Sequence, residues 1–258
     1  MKNGLIDNGA LFDWGKSSDN YAKFRDIYPK EMYEELHRLG VGGENTLNLD
    51  IGTGTGVVPR FMSLYAGKFC GIDIAENQIM KAKELSDGLG IDYRVGTAES
   101  ILFENELFDS VCATQCWRYF DKEKAVPEIR RVLKKNGVFI IAYMQWLPSE
   151  SVIIEKSLEL VKRYNPHWDC FKDRIDVKNS KLTLDGFTKK EFIEFDCDIP
   201  FTRESWNGRM VSCRGIEPSL TDEEVKRFST EHMDMLRKYN NEDFTLRHQI
   251  AIFCFEKE

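Results

Sequence analysis

Residues 47–56 read Leu47-Asn48-Leu49-Asp50-Ile51-Gly52-Thr53-Gly54-Thr55-Gly56. An apolar run that ends in a carboxylate and then meets three alternate glycines is a strand entering a tight turn. With no Cβ in the way, that backbone can approach a ligand closely. A second carboxylate, Asp73, closes the next β-like run, where an acid suits a vicinal diol. A nicotinamide dinucleotide site would want Gly-x-Gly-x-x-Gly. The register from Gly52 has Val57 at the third glycine and the register from Gly54 has Pro59, which weakens a hydride-transfer reading.

The elements that must hold these carboxylates alternate strand and helix, the pattern of a parallel sheet wrapped by helices. Leu47–Ile51 reads as the first strand, 57–66 as a helix, 69–74 as a strand and 75–87 as a helix. Strands follow at 91–95 and Phe108–Thr114. Pro127 is read as opening a helix that stops at Asn136-Gly137, before a buried strand at 138–144. Farther on, 151–164 is amphipathic and is broken by Asn165-Pro166-His167-Trp168. Period-2 alternation over 193–201 predicts a half-buried strand, Thr221 to Glu224 a capping box opening a helix to Tyr239, and 244–255 a last strand.

The 258 residues carry 36 Lys and Arg against 43 Asp and Glu, a formal charge of −7. That balance argues against a broad grip on nucleic acid or anionic lipid. The seven cysteines show no metal-ligand spacing and read as free thiols of a reducing cytoplasm. The apolar run 138–144 is far short of the roughly 18 residues a membrane helix needs. The first ten residues lack a secretory pattern. The expectation is a cytoplasmic protein with no metal, no nucleic acid and no membrane partner.

Five segments in order resemble the class I S-adenosylmethionine-dependent methyltransferases. Asp50, Gly52, Gly54 and Gly56 match the first motif, Gly71-Ile72-Asp73 the ribose-binding acid, and Gly96-Thr97-Ala98-Glu99 the segment beside adenine. Phe108-Asp109-Ser110-Val111 matches the fourth strand, and Glu128 to Gly137 followed by Val138-Phe139-Ile140-Ile141 the closing helix and strand. Asp13 to Tyr21, with Lys23-Phe24-Arg25 and Tyr28-Pro29, is similar to the N-terminal cap of the small-molecule branch that includes trans-aconitate-type and ubiquinone-type methyltransferases, methyltransferase domains 11 and 25. The resemblance implies an α/β, Rossmann-like, doubly wound seven-stranded sheet with its last strand antiparallel. It implies a helical cap at 1–45, a cofactor-binding core at 46–146, and lid helices with completion of the sheet at 147–258, all in one structural domain. S-adenosylmethionine is the implied cofactor and S-adenosylhomocysteine its product. The implied partner is a small-molecule acceptor methylated on O, N, C or S, with the protein a monomer or homodimer.

Carried onto this chain, the cofactor contacts are Asp50, Gly52, Thr53, Gly54 and Gly56 in the loop and Asp73 at the ribose. Ile74, Thr97, Ala98 and Glu99 fall beside adenine, and Gln115, Tyr21 and Arg25 complete the set. Bland readings stand beside these: Asp73 as a helix N-cap, Ile74 and Ala98 as core, Arg25 as a solvated surface residue. Thr97 stands where relatives often have aspartate, and Arg118-Tyr119 replace a His-Trp pair, which removes a base carried over at that histidine. Catalytic candidates are then His167, Tyr21 and Trp117. Arg203, Arg209 and Arg214 read either as partners for an anionic substrate or as a charged surface. A cofactor-binding protein without catalysis and a dehydrogenase are the alternative functions.

Overall fold

The computed structural model describes residues 6–25, 28–169, 173–239 and 242–258. Among them seven strands form one sheet: β1 (Leu47–Ile51), β2 (Lys68–Asp73), β3 (Asp92–Val95), β4 (Phe108–Thr114), β5 (Leu133–Trp146), β6 (Phe187–Thr202) and β7 (Asp243–Lys257). Their order is β3-β2-β1-β4-β5-β7-β6. β1 pairs in parallel with β2 and β4, β2 with β3, and β4 with β5. β7 runs the other way. Lys257 Nζ, near its end, donates to the Leu133 carbonyl at the start of β5 at 2.6 Å. Thr188 Oγ1 at the start of β6 donates to Glu256 O, and Cys197 Sγ farther along donates to His248 O. The doubly wound sheet with an antiparallel last strand is the architecture expected from the sequence. The helices are α1 (Ser18–Phe24), α2 (Lys30–Arg38), α3 (Val57–Met62), α4 (Glu76–Leu85), α5 (Lys122–Val132), α6 (Val152–Tyr164), α7 (Arg203–Val211) and α8 (Asp222–Tyr239). No helix among the described residues is long and apolar enough to cross a membrane.

Two compact units divide the chain. The sheet unit holds the described residues of Tyr28–Met144, Asp176–Phe195 and Ile250–Glu258. Its centre is apolar because β4 and β5 are covered on both faces: Val111, Ala113, Phe139, Ile140 and Ile141 are buried completely. Ala125, Val126, Ile129 and Val132 give α5 a buried stripe at the helical period. That stripe explains a departure from the sequence reading. The helix begins at Lys122, five residues before Pro127, with Ala125 N donating to Asp121 O at 2.8 Å. Burying Ala125 and Val126 outweighs the one hydrogen bond the proline lacks. Nor does the helix reach Asn136-Gly137. It ends at Val132, because Leu133 already pairs with Phe108. The register then shifts, Ser110 facing Val138, and Asn136 turns the intervening residues at φ +62°. The turn signal was real, but it marks an irregularity inside β5.

The helical unit holds the described residues of Met1–Ile27, Gln145–Ile175 and Asp196–Gln249. The Thr221–Glu224 capping box forms as expected, Thr221 N donating to Glu224 and Glu224 N to Thr221 Oγ1. α7, absent from the sequence reading, packs on α1 so tightly that a Cβ at Gly208 would enter the Phe24 ring. A buried polar network joins α6, α7 and α8. Trp206 Nε1 donates to Ser157 Oγ at 3.0 Å, Ser157 Oγ meets His232 Nε2 at 2.9 Å, and His232 Nδ1 meets Asn207 Oδ1 at 2.9 Å. Burial holds the imidazole neutral, its pKa pushed down to about 3. Nδ1–H therefore donates to Asn207 and Nε2 accepts from Ser157. A second buried set joins Arg214 to Asp7 through two hydrogen bonds of 2.7 and 2.9 Å, and to Asp169 at 2.6 Å.

His232 titrates near 6.5 when unfolded, so the stability tied to its neutral form is full above that value and lost as pH falls toward 3. Ser157→Ala leaves two buried partners unpaired. It should lower the unfolding free energy by about 1–3 kcal/mol in urea denaturation. No change would show that the network contributes nothing.

Candidate functional site

β1 delivers Asp50 to its C-terminal end, where it faces Gly71 of β2 and Cys112 of β4. The carboxylate is buried. Oδ2 accepts from Thr53 Oγ1 at 2.7 Å, and Oδ1 has no hydrogen-bond partner. Burial is the main cause that pushes its pKa up to about 7; the Thr53 hydroxyl opposes that shift and the Asp73 charge adds to it. Asp73 sits at the end of the neighbouring strand. Its Oδ2 accepts from Gly54 N and its Oδ1 from Ala75 N, both at 2.9 Å. Burial raises its pKa as well, against the pull of those N–H donors.

The glycine loop is held by the same contacts. Gly52 turns at φ +67° and Gly56 at φ +76°. A Cβ at Gly52 would come within 2.8 Å of Cys116 Cβ, and one at Gly56 would run into the Tyr93 hydroxyl. Thr53 N donates to Ile72 O at 2.9 Å, stitching the loop to β2. Two residues that the sequence reading passed over therefore shape the loop. Tyr93 of β3 faces Gly71 across the β2–β3 register and fills the space over both Gly71 and Gly56. A large residue opposite a glycine was the available signal. Cys116 Sγ donates to Ile51 O at 3.0 Å beneath the turn.

Around this centre the remaining candidates separate. Ile74, beside Asp73, is 52% exposed, unusual for an isoleucine next to a buried strand. Ala98 is buried, Thr97 bridges Ser100, and Glu99 Oε1 accepts from Asp121 N at 2.9 Å. Gln115 takes a left-handed conformation at φ +63°, and its Nε2 donates to Met144 O at 2.7 Å, so that amide ties β4 to β5. Trp117 is buried edge-on against Phe139, with ring centroids 5.3 Å apart, as core. Tyr21, Arg25 and His167 belong to the helical unit. The Arg25 guanidinium lies over the Tyr21 ring at 4.6 Å, and His167 is exposed in the turn after α6.

A sheet of this order, with acids ending its first two strands and a glycine turn between them, is a Rossmann-like nucleotide-binding fold of the methyltransferase type. Residues 49–141 match the family model described as a methyltransferase domain. The chain is 28% identical to an uncharacterized methyltransferase-like protein of Schizosaccharomyces pombe over 248 residues, 93% of each protein. It is 29% identical to the uncharacterized methyltransferase YcgJ of Bacillus subtilis over 139 residues, about half of each chain. The crystal structure of YcgJ superimposes with a TM-score of 0.54 at 18% identity, covering 89% of this chain and 99% of that one. A geranyl diphosphate methyltransferase in complex with S-adenosylmethionine superimposes with a TM-score of 0.51 at 15% identity, covering 88% and 85%. The matched segment, the relatives and the fold together support a class I S-adenosylmethionine-dependent methyltransferase.

Because Asp50 is protonated more readily in the folded chain than in the unfolded one, its burial costs stability as pH rises from about 3.8 to about 7. Asp50→Asn should therefore raise the melting temperature of the ligand-free protein at pH 8 and leave it nearly unchanged at pH 4. A variant that melts lower at pH 8 would contradict a strained carboxylate.

Proposed function

We propose that this chain binds S-adenosylmethionine at the ends of β1 and β2 and transfers its methyl group to a small-molecule acceptor. The observation that carries this reading is the pair of strand-end carboxylates, buried Asp50 with an unpartnered Oδ1 and half-buried Asp73 anchored by two backbone N–H groups. The residues present fit the cofactor. An orphaned carboxylate oxygen in a glycine turn suits an ammonium group, and a strand-end acid with lone pairs to spare suits a ribose diol. Exposed Ile74 offers an apolar surface for an adenine face. When bound, S-adenosylmethionine supplies a sulfonium methyl carbon that the acceptor's lone pair takes in line as the carbon–sulfur bond breaks, leaving S-adenosylhomocysteine.

The protein's own work is alignment. Thr53 fixes the Asp50 carboxylate by one oxygen, which leaves the other directed at a ligand. Gly54 and Ala75 N–H groups hold Asp73 in one orientation, so the position of the diol is set before binding. Among the histidines, His232 and His248 are buried with pKa values lowered to about 3 and about 4, their tautomers held by neighbours. Of the other two, His37 has its Nδ1 at the Val41 carbonyl, 3.1 Å away, and its ring stacked on Tyr65, so exposed His167 and the Tyr21 hydroxyl are the groups to test for proton removal. An acceptor that arrives ionised needs neither.

Asp73→Ala should weaken S-adenosylhomocysteine binding about ten- to hundredfold in calorimetry, the loss of charge-assisted hydrogen bonds. An unchanged dissociation constant in a folded variant would remove Asp73 from the site. Incubation with methyl-labelled S-adenosylmethionine and a panel of small acceptors should yield labelled product. Binding without transfer to any acceptor would favour a cofactor-binding protein that lacks catalysis.

A further inference from the structure

Of the three arginines in and just after α7 that the sequence left open, two have partners in the structure. Arg214 is consumed by Asp7 and Asp169, and Arg203, at the start of α7, is partly exposed. Arg209 is different. It is only 4% exposed, and among the described residues none accepts a hydrogen bond from its Nε or Nη1. The guanidinium lies over the Trp146 ring, 5.3 Å from the centroid. Trp146 Nε1 is itself buried and unpartnered. Arg25, whose Nε is likewise buried without a partner, follows Phe24, the ring seated where a Gly208 Cβ would stand. Its charge is felt at Cys213, about one turn beyond Arg209.

A guanidinium cannot shed its proton, so burial without an anion is a standing cost that a stacked tryptophan face offsets only in part. Every orphaned atom in the set is a donor: two guanidinium nitrogens of Arg209, one of Arg25 and an indole N–H. A donor-only set lacks an acceptor with several lone pairs. The planar fork of Arg209 matches a carboxylate, and one fully buried cation matches its single charge. A phosphate dianion would leave surplus charge in a buried place.

We infer that Arg209, with Trp146 Nε1 and Arg25, forms a binding site for the carboxylate of a small organic acid.

The test is thermal melting and tryptophan fluorescence of the full chain, titrated with sodium acetate, benzoate and succinate at constant ionic strength. Benzamide serves as the neutral counterpart and inorganic phosphate as the rival anion. At least one carboxylate should raise the melting temperature and perturb the fluorescence, while benzamide does neither. Arg209→Met should weaken that response about tenfold or more while the ligand-free protein melts no lower than the wild type, because an unpaired buried charge has been removed. An arginine with a purely structural role would give a lower melting temperature instead. If the methionine variant fails to fold, Arg209→Lys keeps the charge without the fork and should lose the same response. No carboxylate response in the wild type, an equal response to benzamide, or a stronger one to phosphate overturns the assignment.

Discussion

Two carboxylates stand at the ends of adjacent parallel strands, Asp50 buried and Asp73 half-buried. Ordinary side-chain packing would not place them there, since each resists ionisation in that setting and Asp73 makes it harder for Asp50. Much of the nearby structure can be read as accommodating them. Thr53, Gly54 and Ala75 direct hydrogen-bond donors at them. Cys116 presses against the turn at Gly52 and Tyr93 at Gly56, and Gly54 takes a left-handed φ of +56°. One oxygen, Asp50 Oδ1, remains unsatisfied. A buried polar atom without a partner calls for an explanation, and the proposed ligand would supply one.

The strain is carried by a sheet unit whose strength lies in β4 and β5, buried on both faces. The helical unit is built on different terms: polar networks inside helix contacts, with His232 neutral between Ser157 and Asn207 and Arg214 paired with Asp7 and Asp169. Such networks specify one arrangement when every member is satisfied. Against that background Arg209, buried with two unpartnered guanidinium nitrogens, differs from Arg214, which has two aspartates.

How much of this was legible in the sequence depended on whether a residue's role was local. Leu47–Ile51 and Phe108–Thr114 were read to the residue, since short β-like stretches in a strand–helix alternation have few other solutions. Gly52 and Gly56 carried their own conformational signal. Pro127 and Asn136 misled because local preference lost to the burial of Ala125 and Val126 and to pairing of Leu133 with Phe108. The roles of Tyr93, Cys116 and Arg209 depend on partners distant in sequence. Arg209 and Arg214 look alike in the chain, and only the fold gives one of them an aspartate.

In the proposed function Asp50 meets a cationic group of the cofactor. The direct measurement is calorimetric titration of S-adenosylhomocysteine at pH 6 in two buffers of different ionisation enthalpy. A carboxyl with a pKa of about 7 is mostly protonated at that pH and must ionise on meeting an ammonium. The account predicts release of close to one proton per molecule bound, absent in Asp50→Asn. Binding with no proton release, or the same release from the variant, would contradict it.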